Sequence, residues 1–277
     1  ATNEFVVTPT VDRLPAVEPP RSYDIGENAG SHSIGAHGAD DASTREYRTG
    51  DDLRKVHWRS TARTGVLMVR LEERPWQGRS TLVLDLRAAA HLTGTPVPHG
   101  EDPRDYDSLE WAMSACASIG THLLVAGRQV TLIDDQGADE RRQFDSPARL
   151  GEYLATAAPS KLPDLSRVAE VVRTAARDSA VVAIVATLDS TSLRTLAEAH
   201  PRGSAIPAFA ILLDIDSWRT DGEPSTTTAS CNAAARVLQN AGWQVVIARG
   251  GESIADIWLT LVRRGGGIRA ETGAILR

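Results

Sequence analysis

A mostly parallel α/β sheet with helices on both faces, preceded by an irregular arm, is the fold class that this sequence predicts. Three observations carry it. From Ser80 onward, short apolar segments alternate with segments of helical period, as in sheets whose parallel strands are joined by crossover helices. The strand segments Ser80–Leu86, Val181–Ala186 and Ala208–Ile215 are nearly continuous in apolar residues, the pattern of strands covered on both faces. Before Thr44 the chain runs through Pro15, Pro19 and Pro20, which forbid a continuous helix, and then through the polar stretch 26–41. The division that follows is an arm over 1–78, an α/β domain over 79–264 and a glycine-rich tail over 265–277.

The elements follow in order. Phe5–Thr8 is strand-like. His32 and His37 lie in a polar loop with no acid or cysteine on a fixed element nearby, so they read as solvated histidines rather than a metal pair. Ser80–Leu86 is the first core strand, with Asp85 near its end. Leu109, Met113, Cys116 and Leu123 mark a helix from Asp107 that Gly127 stops, and Val130–Ile133 is the next strand, with 141–144 as an edge hairpin beside it. Leu150–Ala157 and Leu165–Ala176 are helical. After the strand Val181–Ala186, Asp189 caps the helix of Leu193 and Leu196. Ala208–Ile215 is a strand, a Ser/Thr-rich loop at 225–228 leads into the helix of Ala234 and Leu238, Trp243–Ala248 is the last core strand, and Ile254–Val262 closes the domain as a helix. No period repeats along the chain.

Composition bounds the function. Hydrophobic content of 42 % with 24 % charged residues is that of an ordinary globular chain. No apolar run approaches the roughly 20 residues that span a bilayer, and no basic start leads into an apolar leader segment, so the sequence reads as soluble. Cys116 and Cys231 make no metal spacing and read as reduced, buried thiols. A net charge of −6 argues against general nucleic-acid binding.

The densest stretch is 45–70, REYRTGDDLRKVHWRSTARTGVLMVR, with seven Lys or Arg against three acids. It is a basic island in a chain whose remainder carries about −10. Asp51 or Asp52 can cap a short helix bearing Leu53, Val56 and His57 on one face; Gly65 would stop it, and Val66–Val69 would form a strand. Two readings stand side by side. In one, guanidinium groups beside the Trp58 indole receive an anionic partner; in the other, Trp58 is buried and the stretch is a clasp. Divided by role, Tyr47, Trp58 and Leu67 are anchors, Gly50 and Asp51 shape the turn, and Arg54, His57, Arg59 and Arg63 face a partner.

These same residues, Arg45-Glu46-Tyr47-Arg48-x-Gly50-Asp51-Asp52-Leu53-Arg54-x-Val56-His57-Trp58-Arg59-x-x-Ala62-Arg63-x-Gly65-x-Leu67, resemble the signature of the bacterial domain-of-unknown-function 58 family. The resemblance implies a von Willebrand factor A-like domain after the motif, membrane helices and a small β domain before it, a place on the cytoplasmic side of the membrane, and a MoxR-type AAA+ ATPase as partner. It implies no established reaction. In metal-binding von Willebrand A domains the first core strand leads into Asp-x-Ser-x-Ser, which holds a divalent ion. Here the run is Asp85-Leu86-Arg87-Ala88-Ala89. Arg87 and Ala89 replace both hydroxyls, and a guanidinium there would repel a cation and could pair with Asp85. The expectation is therefore a non-enzymatic, metal-independent interaction module without a cofactor. The alternatives are a Mg²⁺- or Mn²⁺-dependent ligand binder and a hydrolase, although neither a Walker loop nor a Gly-x-Ser-x-Gly elbow is present.

Overall fold

The computed structural model describes residues 7–15, 44–47, 56–70, 78–134, 142–200, 204, 206–219 and 227–264. The chain forms two compact units, Ala1–Tyr23 with Gly78–Arg277, and Asp24–Gln77.

In the larger unit, six strands line up in the order β5-β4-β3-β6-β7-β8. They are β3 (Arg79–Leu84), β4 (Gln129–Asp134), β5 (Arg142–Phe144), β6 (Ala180–Val185), β7 (Ala208–Leu213) and β8 (Gln244–Ala248). Only β5 runs antiparallel, in register Val130↔Phe144 with β4; the other neighbours are parallel, Leu82 standing opposite both Leu132 and Val182. The expected mixed α/β fold with a mostly parallel sheet is thus present, consistent with a Rossmann-like, von Willebrand A-type fold.

Side-chain alternation along the strands builds two cores. Leu82, Leu84, Val182, Ile184, Phe209 and Ile211 face one side, under α2 (Ser108–Val125), α3 (Pro147–Thr156) and α7 (Ile254–Arg264). Val83, Val181, Ala183, Val185, Ala210 and Leu212 face the other, under α4 (Ser166–Ala175), α5 (Ser190–Ala199) and α6 (Thr227–Asn240). The chain leaves β3 for α2 on the first face and β6 for α5 on the second. Adjacent strands β3 and β6 therefore diverge at their carboxyl ends, the crevice where open α/β sheets place ligands.

Local chemistry sets the helix ends. Asp107 accepts from the Leu109 and Glu110 N–H groups at the start of α2, and Gly127 takes φ 75° just beyond its end, conformations suited to those residue types. α2 is buried nearly all round, which explains its small residues: a Cβ at Gly120 would sit 2.3 Å from Leu150 Cδ2 and 3.1 Å from Leu82 Cδ1. The segment 7–15 helps cover it. Leu14 joins the core and the Asp12 N–H donates to Ser118 Oγ at 2.9 Å. These residues belong with the α/β unit rather than with an arm running to 78, and Val7 and Thr8 form no strand. Phe5, the loop histidines, the 225–226 part of the Ser/Thr loop and the tail lie outside the described residues. No described helix is long and apolar enough to cross a membrane.

In the smaller unit, β1 (Thr44–Glu46) pairs antiparallel with β2 (Met68–Arg70) in register Arg45↔Val69, and α1 (Trp58–Thr64) lies between them in sequence. The expected helix carrying Val56 and His57 is corrected here. Val56 bridges Val69, and the His57 N–H donates to Met68 O at 2.7 Å, so both extend the sheet. The helix begins at Trp58, where the His57 Nδ1 rather than Asp51 or Asp52 provides the cap by accepting from the Ser60 N–H. Gly65, at φ 73°, ends it as expected. Met68–Arg70 rather than Val66–Val69 forms the strand.

Candidate functional site

The crevice between β3 and β6 is filled from within by two side chains. Asp85 follows β3, its side chain fully buried, and Arg87 lies two residues on at 5 % exposure. Because the chain turns into a short 3-10 helix at Ala88–Ala90, Arg87 folds back over the strand end. Its Nε donates to Asp85 Oδ1 at 2.9 Å and its NH2 to Oδ2 at 2.8 Å, a forked pairing. The Arg87 main-chain N–H also donates to Oδ1 at 3.1 Å, and the Ala186 N–H to Oδ2 at 3.3 Å. Four donors thus occupy a carboxylate with about four acceptor positions. The same NH2 donates to Thr187 O at 2.9 Å, tying β3 to the end of β6 across the crevice. Ala89, at the second lost hydroxyl, is exposed.

Two groups complete this corner. Asp189 caps α5, accepting from the Thr191 and Ser192 N–H groups at 2.8 and 3.0 Å, and stands 3.7 Å from Arg87 NH1. Partial burial alone would raise its carboxyl, but the hydrogen bonds from Ser192 and Thr191 with the Arg87 charge outweigh that and hold it below the ordinary range. His91 is buried, with Nε2 2.9 Å from Asp85 O and Nδ1 3.2 Å from Ser108 Oγ. A carbonyl only accepts, so Nε2 carries the proton and Nδ1 is an acceptor that shares the Ser108 hydroxyl with Leu92 O, which lies 3.3 Å from Ser108 Oγ. This Ser108–His91 contact has the distance of a nucleophile–base pair, yet Ser108 is fully buried and His91 is oriented by a carbonyl rather than a carboxylate.

The neighbouring strand ends repeat the pattern. Asp134 ends β4 with its side chain fully buried. It accepts from the Tyr153 hydroxyl and from Arg142 NH1, 3.3 Å away, and the Arg142 guanidinium stacks 4.6 Å above the Tyr153 ring. Burial first, and then the bond to Asp134, pushes the Tyr153 phenol well above its usual range. Asp214, after β7, faces Arg249 from the end of β8 at 3.6 Å. Each buried carboxylate at this edge of the sheet therefore has a guanidinium beside it. Among the described residues, no three His, Cys, Asp or Glu side chains gather into a metal-holding group. Cys116 is buried and Cys231 half-buried; burial pushes the Cys231 thiol up to about 11 and Cys116 higher still.

In the smaller unit, Arg54, Gly50 and Asp51 lie outside the described residues. Tyr47 and Leu67 are half-buried and joined by the Tyr47 N–H bond to Leu67 O at 2.7 Å. His57, expected to face a partner, spends its Nδ1 on the helix cap and on Ser60 Oγ at 2.8 Å. Trp58, expected as an anchor, is 69 % exposed, and Arg59 and Arg63 are exposed beside it.

Burial of histidine sets a pH dependence. His91, His122 and His200 all have pKa values lowered from 6.5, in each case chiefly by burial. The unfolded chain then binds more protons as pH falls through 6.5, so this stability is present above that pH and is lost progressively below it. Each group contributes a slope of at most about 1.4 kcal/mol per pH unit. The urea midpoint should fall between pH 7.5 and 5.5; a midpoint that is level or rises across that range would contradict the neutral buried imidazoles.

A model of the family described as "Protein of unknown function DUF58" matches residues 43–212, which run from the motif through the crevice to β7. No curated protein matches the chain. By that match, over more than half of its length, the chain belongs to the DUF58 family.

Proposed function

We propose that this chain is a non-enzymatic protein-interaction module: a von Willebrand A-like domain in which a built-in guanidinium stands where relatives of that fold hold a metal ion. The single observation that supports this most is the fork of Arg87 on Asp85. A divalent cation there would have to displace a bidentate, buried guanidinium and two further main-chain hydrogen bonds. The burial of the Ser108–His91 pair weighs against hydrolysis, because a substrate carbonyl has no path to that hydroxyl. The partner in this reading is a MoxR-type AAA+ ATPase, met at the cytoplasmic face of the membrane by a chain anchored through segments preceding this one.

Calorimetry of the chain with the ATPase, with and without ATP, tests the reading. Nucleotide-dependent binding is the expected result, and absence of binding in both states would remove this partner. The thermal midpoint should also be unmoved by millimolar Mg²⁺ or Mn²⁺, since an ion bound only by the folded state must raise it. A clear rise would instead support the metal-dependent alternative.

A further inference from the structure

Helix α1 breaks several rules of helix stability at once. It has seven residues, none of them buried, below the length at which helices hold themselves in water. Its first turn carries no acid, and Arg59 stands there against the dipole. Arg59 and Arg63 are like charges at i and i+4, a mildly unfavourable pair. Trp58, the largest side chain in the helix, is 69 % exposed, with Val66 just beyond the helix 46 % exposed.

What holds the helix is a set of specific bonds. His57 caps its start, Gly65 ends it, and the Thr61 hydroxyl accepts from the Met68 N–H at 2.9 Å, pinning it to β2. A helix built so firmly by its caps, while contributing nothing to a core, is built for what it displays. Sequence features that oppose local stability are expected where function requires them.

Resting on the interaction-module reading, we infer that the Trp58 and Arg59 face of α1 is a docking surface for an acidic protein partner. Trp58 enters an apolar pocket on that partner, and the Arg59 guanidinium takes a carboxylate at its rim. Tryptophan and arginine dominate binding energy at protein interfaces, and the fork geometry of arginine suits carboxylates. Charge complementarity sets the sign: the stretch 45–70 is basic within a chain of net charge −6. A single indole offers no row of stacking positions for the bases of a nucleic acid.

The probe is a soluble glutamate–tyrosine copolymer, labelled and followed by fluorescence anisotropy against the intact chain, with oligothymidylate of matched charge beside it. The copolymer should bind saturably and more tightly than the oligonucleotide. Trp58→Ala and Arg59→Glu should each weaken it by about tenfold or more, while Arg236→Glu, an exposed arginine on α6, leaves it unchanged. Thermal midpoints should stay level, since α1 buries nothing and a glutamate in its first turn suits the dipole. No copolymer binding, equal binding by both variants, or tighter binding of the oligonucleotide would overturn the inference. An ATPase that binds the chain regardless of Trp58 and Arg59 would overturn this surface and leave the module reading standing. Copolymer binding that depends on Trp58 and Arg59, with no ATPase binding, would support the surface and remove only that partner.

Discussion

Arg87→Ala should destabilise the protein by about 3–5 kcal/mol, the cost of leaving a buried carboxylate without its charge partner. In a domain of this size the thermal midpoint should drop on the order of 10 °C. The reason lies in the accounting of donors at Asp85. Removing Arg87 Nε and NH2 takes two of the four hydrogen bonds and all the adjacent positive charge, while the side chain stays enclosed between β3 and β6. Replacing both partners separates the ion pair from the burial. Asp85→Leu with Arg87→Met leaves no orphaned charge and should lie much closer to the parent, since apolar replacement of a whole buried pair is often nearly neutral. Urea unfolding of the two single variants and the double variant gives the coupling directly. Additive losses would show that the pair does not act as a unit.

The same position can be tested in the opposite direction. Arg87→Ser with Ala89→Ser writes Asp-Leu-Ser-Ala-Ser into the strand end. This variant should be unstable in chelator and should recover part of its midpoint in millimolar Mg²⁺ or Mn²⁺, because the cation relieves the uncompensated Asp85. A midpoint indifferent to the metals would show that two serines beside Asp85 do not suffice to hold a divalent ion at this strand end.

Trp111→Ala is the second large effect, about 3–5 kcal/mol for a tryptophan deleted from a packed interior. Trp111 in α2 is 2 % exposed and meets Trp218 edge to face, with ring centroids 6.1 Å apart. Its indole N–H donates to Glu252 O at 3.0 Å, and that of Trp218 to Arg104 O at 2.8 Å. The Trp111 indole thus secures the turn after β8, in which the Arg249 N–H is held by Glu252 Oε2 at 2.8 Å, while the Trp218 indole ties the 3-10 turn Pro103–Asp105 to the end of β7. Gly250 lies against the same place: a Cβ there would stand 2.8 Å from Ser217 O. Trp111→Phe keeps most of the volume and loses the N–H bond, so it should cost clearly less than alanine. Equal losses for the two variants in urea unfolding would mean that the hydrogen bond, not the packing, dominates.

Much of this architecture was legible in the chain. Period-2 and period-3.6 spacing located the core strands and helices after Ser80, because burial on a strand or helix repeats with the geometry of that element. Asp107, Asp189, Gly65 and Gly127 marked helix ends, since capping is decided by one residue and its nearest N–H or C=O groups. The Asp85–Arg87 pairing was also within reach, both residues lying two positions apart at one strand end. Trp58 is 69 % exposed, because burial depends on what surrounds a residue and not on its type. His57 showed as a charge-bearing side chain, while its use as a cap depends on the backbone passing from strand to helix at His57 itself.

By itself, then, the sequence determined what short range can determine: the kind of each element, where most begin and end, and a guanidinium placed to answer Asp85. Only the tertiary structure decided the strand order β5-β4-β3-β6-β7-β8, which puts the divergence of the chain between β3 and β6. It also brought Arg142 and Tyr153 to Asp134, and Arg249 to Asp214, and laid residues 7–15 over α2. The physical reason is separation along the chain. A cap or an amphipathic face is read from residues a few positions apart, whereas Asp214 and Arg249 meet only after parallel strands, joined through a helix, have brought their carboxyl ends to one edge, and Asp134 meets Arg142 and Tyr153 only once β5 and α3 have packed at the end of β4.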